Sequence, residues 1–511
     1  MNHSIKHMVN PILSFTKYPD SCHSRTINSR SETGLVNFIA GADRGQAMLL
    51  PSMVEDYIAT DAAVRVIDAF VDSLDVLALG FDRPTPAPTG RPGYDPRDML
   101  RLYIYGYLNA LRSSRRLERG CHINVELMWL LRKRAPDFKT IADFRRDNHC
   151  GVVGACSAFV QFCREANLFA GAIATIDGTK VRAVASGKKV MSKPEVAAEV
   201  VKLNREIGDF LLAMDTADAT EPDEATEPDE ATGKQTRNAL KALRARREEL
   251  LSLAKHMAAE ERELGVLGEP DARPMGYRAG AKPPSYNLQI AVDPKSHIIV
   301  HHDVTTEATD NRLLYPMARA TKAVLGADTL NVIADAGYAN AAQAAACEDA
   351  GIVPSAPAPR PTNTRGDFYP PDVFTYDAGS DSMTCPNGRK LLRNGSNERD
   401  QSLRYRAEKN CTGCPLKENC TTAPRRFVYR LVHQEALSRM TGRVKADKSL
   451  MKTRRSTVEH PFGTLKYYLG GRFLLRGQLK ASTETALAVL GYNLTRASKI
   501  IGRQELIERL A

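Results

Sequence analysis

The chain contains a single tryptophan and no extended tract in which basic and aromatic residues alternate, so nothing in it favours single-strand nucleic-acid binding. No apolar run reaches the roughly 18 residues of a membrane span, and none is expected. The N-terminus lacks an apolar core followed by a small-residue cleavage site, which argues against a secretory signal. There is no Gly-x4-Gly-Lys-Ser/Thr loop, so an ATP-driven enzyme is not supported. The ten cysteines make no disulfide framework. Six of them (Cys22, Cys121, Cys150, Cys156, Cys163 and Cys347) are scattered and read as ordinary core or surface residues. A reduced, cytoplasmic setting is expected.

What is present is length and positive charge. At 511 residues the chain has room for about three domains at roughly 150 residues each. Its 71 Lys and Arg against 60 Asp and Glu leave a net +11. The excess is concentrated. Residues 439–478 hold ten bases against two acids, and residues 91–149 hold thirteen against seven. Two separate basic tracts suit a polyanionic partner, although simple solubility would account for charge alone.

One basic tract contains Arg454-Arg455-Ser-Thr-Val-Glu459-His-Pro461-Phe462-Gly-Thr-Leu-Lys466. On a helix, Arg455, Glu459, Phe462 and Lys466 share a face, with Lys452 about one turn back. A lone acid among bases is usually a surface ion pair. Two further acids change that reading. Asp177 follows the apolar run Ala172-Ile-Ala-Thr-Ile176, and Asp335 follows Leu330-Asn-Val-Ile-Ala334. Each reads as the last residue of a buried strand, with Gly178 or Gly337 letting the chain turn. Taken singly, each is a turn former or helix cap. Three such oxygen donors together suit Mg²⁺. Pro461 inside the third segment predicts a kink, or a helix that starts at Glu459.

These segments resemble the DDE transposases of bacterial insertion sequences. The similar subgroup reads Asp-Gly-Thr-Lys, as at 177–180, and Ala-Asp-x-Gly-Tyr, as at 334–338. Its third motif, Arg-Arg-x-x-Val-Glu-His-Pro-Phe-Gly-x-x-Lys, matches 454–466. The resemblance covers roughly residues 48 to 500, and Tyr492-Asn-Leu-x-Arg496 also fits. It implies that Asp177, Asp335 and Glu459 hold two Mg²⁺ or Mn²⁺ ions for strand cleavage and strand transfer at the element's ends. It implies also that Arg455 and Lys466 position phosphates or orient Glu459. Lys180 and Lys452 are further candidates for contact with the DNA backbone. The family often has Tyr where Lys452 stands, so that phenol's role is not carried over. Double-stranded DNA is the implied partner, with a homodimer on it. A nuclease that cuts without joining, or an inactive DNA-binding relic, are the alternatives; loss of an acid would mark the relic, and all three acids are present.

Along the chain, residues 1–47 read as a disordered leader. Residues 48–165 read as a helical N-terminal domain with DNA-binding arginines. Tyr94-Asp-Pro96-Arg-Asp98 is a helix start, Ser113–Arg119 reads as a break, and Arg145-Arg146 as a surface pair. Tyr103, Tyr105, Tyr107 and Trp129 read as core. Residues 166–192 and 270–365 read as the α/β core, ribonuclease H-like in its order of strand, hairpin, helix, strand, helix, strand. Asp293 at the hairpin turn is a rival acid with a structural reading. Thr309-Asp310 reads as the cap of a helix over Asn311–Leu325. The Asp177–Asp335 gap of 158 residues and the Asp335–Glu459 gap of 124 each predict an insertion. The first, 193–269, is a charged helical arm whose repeated Ala-Thr-Glu-Pro-Asp-Glu should be an unstructured hinge. The second, 366–430, carries Cys385, Cys411, Cys414 and Cys420, spaced for a structural Zn²⁺ site, with His433 as an alternative ligand. Residues 431–511 complete the core with the catalytic helix.

Overall fold

The computed structural model describes residues 53–82, 93–220, 230–276, 282–358, 368–398 and 401–511. The expectations for residues 1–47 and for most of the acidic repeat therefore lie outside the described residues.

Six helices open the described chain: α1 (Ala63–Asp72), α2 (Pro96–Leu108), α3 (Ser114–Ile123), α4 (Val125–Leu130), α5 (Phe138–Asp147) and α6 (His149–Glu165). Asp95 caps α2 by accepting from the Arg97 N–H, with Pro96 at the first position, where its missing N–H has no intrahelical role. Tyr103, Tyr105 and Tyr107 are buried. Two expectations fail here. The basic run 113–119 begins α3 instead of breaking a helix; the break precedes it, at Ala110, whose φ is 54°. Arg145 is buried, not superficial, because its guanidinium lies 5.4 Å from the Tyr103 ring centroid and donates to the Arg112 carbonyl.

The core sheet follows. Strand β1 (Ile173–Arg182) precedes a ladder of β2 (Val190–Ser192) with β3 (Leu264–Val266), and then come β4 (Arg273–Pro274), β5 (Pro284–Val292) and β6 (Ile299–Thr305). After these come β7 (Leu330–Ile333) and β8 (Ile352–Ser355). The main sheet runs β6-β5-β1-β7-β8, with β4 on the free end of β5. Strands β6, β5 and β1 are antiparallel neighbours, whereas β1, β7 and β8 are parallel. This is a ribonuclease H-like arrangement. Every residue of β5 is buried, as a central strand covered on both faces requires. Asp293 is structural: its carboxylate accepts from the N–H groups of Ala170, Lys295 and Ser296 and from the Ser296 hydroxyl, closing the β5–β6 turn.

Between β2 and β3 run two long helices that pack on each other, α7 (Lys193–Thr220) and α8 (Glu230–Ala259), around Val196, Leu203, Leu250, Leu253 and Met257. Helix α9 (Leu314–Leu325) covers one face of the sheet, and α10 (Ala341–Asp349) connects β7 to β8. Residues 375–431 form a separate antiparallel sheet of β9 (Thr375–Asp377), β10 (Ser382–Thr384), β11 (Lys390–Asn397), β12 (Ser402–Ala407) and β13 (Phe427–Leu431). Four helices end the chain: α11 (Gln434–Ala446), α12 (Ser449–Tyr468), α13 (Gln478–Ile501) and α14 (Arg503–Leu510). Helix α12 lies on β1, and α13 packs against β6, α2 and α6, joining the N-terminal helices to the sheet. Among the described residues, no helix is long and apolar enough to cross a membrane.

Glu484 fastens this junction. It is fully buried on α13 and accepts from the N–H groups of Leu474 (2.9 Å) and Leu475 (2.6 Å), with Arg112 of the N-terminal unit 3.8 Å away. Glu484→Ala leaves those donors unanswered and the mostly buried Arg112 with only its bond to the Arg472 carbonyl among the described residues, an expected loss of about 3 kcal/mol. Urea denaturation should show the lowered midpoint; a loss below about 1 kcal/mol would mean the carboxylate is not the fastening.

Candidate active site

The parallel register of β1 and β7 brings the first two acids together. Thr175 is paired with Ile333, the last such pair. Asp177 and Asp335 each lie two residues further on. Because side chains alternate along a strand, both acids fall on the same side of the sheet, the side that carries α12. Asp335 leaves β7 and accepts from the Gly337 N–H at 2.8 Å, capping a short 3-10 turn over Ala336–Tyr338. Asp177 does not end its strand. Strand β1 continues to Arg182, held by β5 after β7 has ended, with Asp177 opposite Ile290.

Helix α12 is unbroken from Ser449 to Tyr468, through Pro461. It neither starts at Glu459 nor stops at the proline. The hydrogen bond lost at Pro461 is the one that would have gone to the carbonyl of Thr457. The side chain that the helix turns onto the two acids is Arg454. Its Nη2 lies 2.6 Å from Asp177 Oδ2 and 3.6 Å from Asp335 Oδ2, and its buried Nε has no hydrogen-bond partner among the described residues. At 100° per residue, Glu459 lies about 140° around the helix from Arg454. Glu459 is exposed, as are Lys452, Arg455 and Lys466, while Phe462 is buried. Lys180 points to the opposite face of β1, where it pairs with Asp310 at 3.3 Å.

The site therefore has an inner and an outer part. Asp177 and Asp335 meet around a guanidinium, while Glu459, Arg455, Lys466 and Lys452 occupy the solvent side of α12. Sequence reasoning quoted Arg454 without giving it a role, yet a signal for it existed. Arg454, Val458, Pro461 and Leu465 follow one another at intervals of four, three and four, and the last three are buried. Arg454 heads the apolar stripe and so had to face inward.

Burial dominates the electrostatics. The side chain of Asp177 is 13% exposed against 41% for Asp335. Burial pushes the Asp177 carboxyl up from 3.8 to about 6, more than the adjacent Arg454 lowers it, and the Asp335 charge pushes the same way. One mostly buried and one half-exposed carboxyl thus lie about a single cation, a donor set that fits a hard divalent ion.

In the second insertion, Cys385, Cys411, Cys414 and Cys420 line one cavity of about 20 Å³, with Tyr369, Leu391 and Arg426 also on its wall. That is room for a single atom or water. Burial raises the Cys420 thiol pKa, Arg426 opposes this, and the nearby sulfurs of Cys411, Cys385 and Cys414 add to the rise. His433 stands elsewhere, at the start of α11, in a different cavity with Asn311 and Asn340. Among the described residues no three Cys, His, Asp or Glu are drawn together closely enough to hold an ion as they stand.

The raised Asp177 pKa has a measurable sign. A carboxyl that titrates near 6 when folded and near 3.8 when unfolded favours the fold below pH 4 and loses that contribution as pH rises through about 6. The change is about 3 kcal/mol. In metal-free buffer, the stability of Asp177→Asn relative to the parent chain should therefore rise by that amount between pH 4 and pH 7. Chemical denaturation at the two pH values tests this, and a difference that does not vary with pH would sink it.

Comparison with known proteins is informative at the level of domains. Residues 52–147 match a transposase domain (DUF772), and residues 254–494, which hold Asp335, Arg454 and Glu459, match a transposase DDE domain. No curated protein matches the chain. Among solved structures, a piggyBac transposase synaptic complex with hairpin DNA is similar over 89% of this chain and 78% of that one, at 10% identity. Its TM-score of 0.27 is too low to bear on the fold. With a transposase DDE domain matching residues 254–494, Asp335 and Glu459 among them, and a second transposase domain matching the N-terminal helices, the chain is a DDE transposase, an enzyme that cleaves and transfers DNA strands; Asp177 lies ahead of the matched DDE residues.

Proposed function

We propose that this transposase acts on double-stranded DNA at the ends of an insertion sequence, with Asp177, Asp335 and Glu459 holding Mg²⁺ or Mn²⁺. The observation that supports the metal reading is the Arg454 guanidinium lying between two carboxylates, one of them almost out of water. Such a pair needs a cation, and the protein already supplies one. A divalent ion bound there supplies Lewis acidity and charge neutralisation for an in-line displacement at phosphorus. The chain's own part is to hold Asp177 in β1, paired there with β5, and Asp335 in a capped turn. For Glu459 the support is the motif; no contact in this structure joins it to the pair.

The outer side of α12 is the proposed DNA side. Arg455, Lys466 and Lys452 lie there, exposed, on the same flank as Glu459, where phosphates would meet them. Lys180, paired with Asp310, is proposed to act from the other face. By resemblance, two copies of the chain would hold two ends together in a cytoplasmic setting. We propose also that the four cysteines close on a structural Zn²⁺, which the donor set and the atom-sized cavity between them support.

Two measurements test these readings. On a labelled duplex carrying the element's own end, metal-dependent cleavage and 3′-end joining should fall at least about 10³-fold in Asp177→Asn and in Glu459→Gln. Joining that survives Glu459→Gln removes that residue from the site, and cutting without joining would leave only the nuclease chemistry. Separately, metal analysis of the purified protein should find about one zinc per chain, lost in Cys414→Ser together with thermal stability of the 370–425 region. Full stability in a zinc-free preparation would rule out the structural ion.

A further inference from the structure

Asp310 does not do what its position before a helix suggests. Helix α9 begins only at Leu314, with Leu313 at its N-cap, and the Asp310 carboxylate caps nothing there. It faces the sheet instead. Its Oδ1 accepts from Asn287 Nδ2 at 2.7 Å, from Gln289 Nε2 at 2.8 Å and from Lys180 Nζ at 3.3 Å. Asn287 and Gln289 are fully buried on β5, directly opposite Lys180 and Gly178 on β1. Three donors, two of them withdrawn from water, converge on one oxygen.

This cluster backs directly onto the acid pair. Along β1, Asp177 points towards α12, so Gly178 and Lys180 present the other face, behind the acids. A Cβ on Gly178 would overlap Gln289 Nε2 and lie 2.8 Å from Asp310 Oδ1. A Cβ on Gly337 would lie 3.0 Å from Asp335 Oδ1 and 3.8 Å from Asp310 Oδ2. Neither glycine has a positive φ. Gly178 lies inside β1 and leaves the space in which the Asp310 network sits, whereas Gly337 lies in the turn capped by Asp335 and leaves room for that carboxylate. That network reaches Asp335 by a second route. Gln289 Oε1 accepts from the hydroxyl of Tyr338, a fully buried residue that ends the turn begun by Asp335.

We propose that Asp310 is a positioning residue for strand transfer. It acts through Gln289 and Tyr338 on the Asp335 turn, and it holds the Lys180 ammonium behind Asp177. The inference rests on the reading that Asp177 and Asp335 bind the metal. Its effect is on metal affinity and on the chemical step, not on DNA capture, because the residue lies behind the sheet from α12.

The test uses the full chain and Mn²⁺ as the probe. In Asp310→Asn, isothermal titration should show Mn²⁺ binding weakened roughly tenfold or more, the range by which partners of metal ligands act. The single-turnover joining rate at saturating DNA should fall with it, while the KM for the end duplex and the gel-shift affinity stay within about twofold. Unchanged Mn²⁺ affinity overturns the inference, and so does a loss of DNA affinity in proportion to the rate. If Asp310→Asn does not fold, Tyr338→Phe carries the test, since it deletes one hydroxyl of the relay and must reproduce the weakened Mn²⁺ binding. Asp335→Asn is the control. If it binds Mn²⁺ as the parent does, the metal reading itself has failed, whereas its loss beside a normal Asp310→Asn defeats the positioning role alone.

Discussion

The contact between Arg454 and the two strand-borne carboxylates is the constraint that most of this architecture serves. A parallel register places Asp177 and Asp335 on one side of adjacent strands, where they repel each other and Asp177 has lost most of its water. Without a positive charge beside it, the sheet would carry a mostly buried carboxylate with no counter-charge, a defect worth several kcal/mol. Helix α12 answers it from its inner face, so α12 must lie flat on β1 and continue through Pro461. Its apolar stripe of Val458, Pro461 and Leu465 holds it there, and α13 backs it. The N-terminal helices in turn bury α13, with Glu484 as the polar fastening. A chain of packing runs from the acid pair to the far end of the molecule.

Strand β1 separates two kinds of polar chemistry by simple alternation. On the α12 side stand the acid pair and the guanidinium. On the α9 side stand Lys180, Asn287, Gln289 and Asp310, a network of neutral amides around one ion pair. The first is left open to change partners, since Asp335 remains substantially exposed. The second is mostly sealed, and satisfied buried networks of this kind are rigid. An open charge pair in front of a rigid support would suit the proposed exchange of the resident guanidinium for a metal ion.

The inserted segments have small hydrophobic cores of their own, so they leave the register of β1 and β7 undisturbed. The α7–α8 pair packs about Val196, Leu203 and Leu253 and closes on the β2–β3 ladder. The cysteine-bearing sheet packs about Phe374, Leu391, Tyr405 and Val428. The strand order of the main sheet reads as though neither were present.

Much was legible in the sequence because it depends on local pattern. The β5–β6 hairpin, the structural duty of Asp293, the helix start at Asp95-Pro96 and the burial of the tyrosine run all follow from alternation, turn chemistry and capping. The two acids were legible as a pair, each following an apolar strand, although either alone read as a turn former. What the sequence could not decide was which way side chains face once elements pack. Burial of one stripe of α12 chose Arg454 over Glu459 for the inner face, pairing with β5 carried β1 beyond Asp177, and donors on β5 and β1 drew Asp310 off its helix. Local pattern determined which element each candidate residue stands on; long-range packing, which alone knows what lies behind each strand, decided which of them meet.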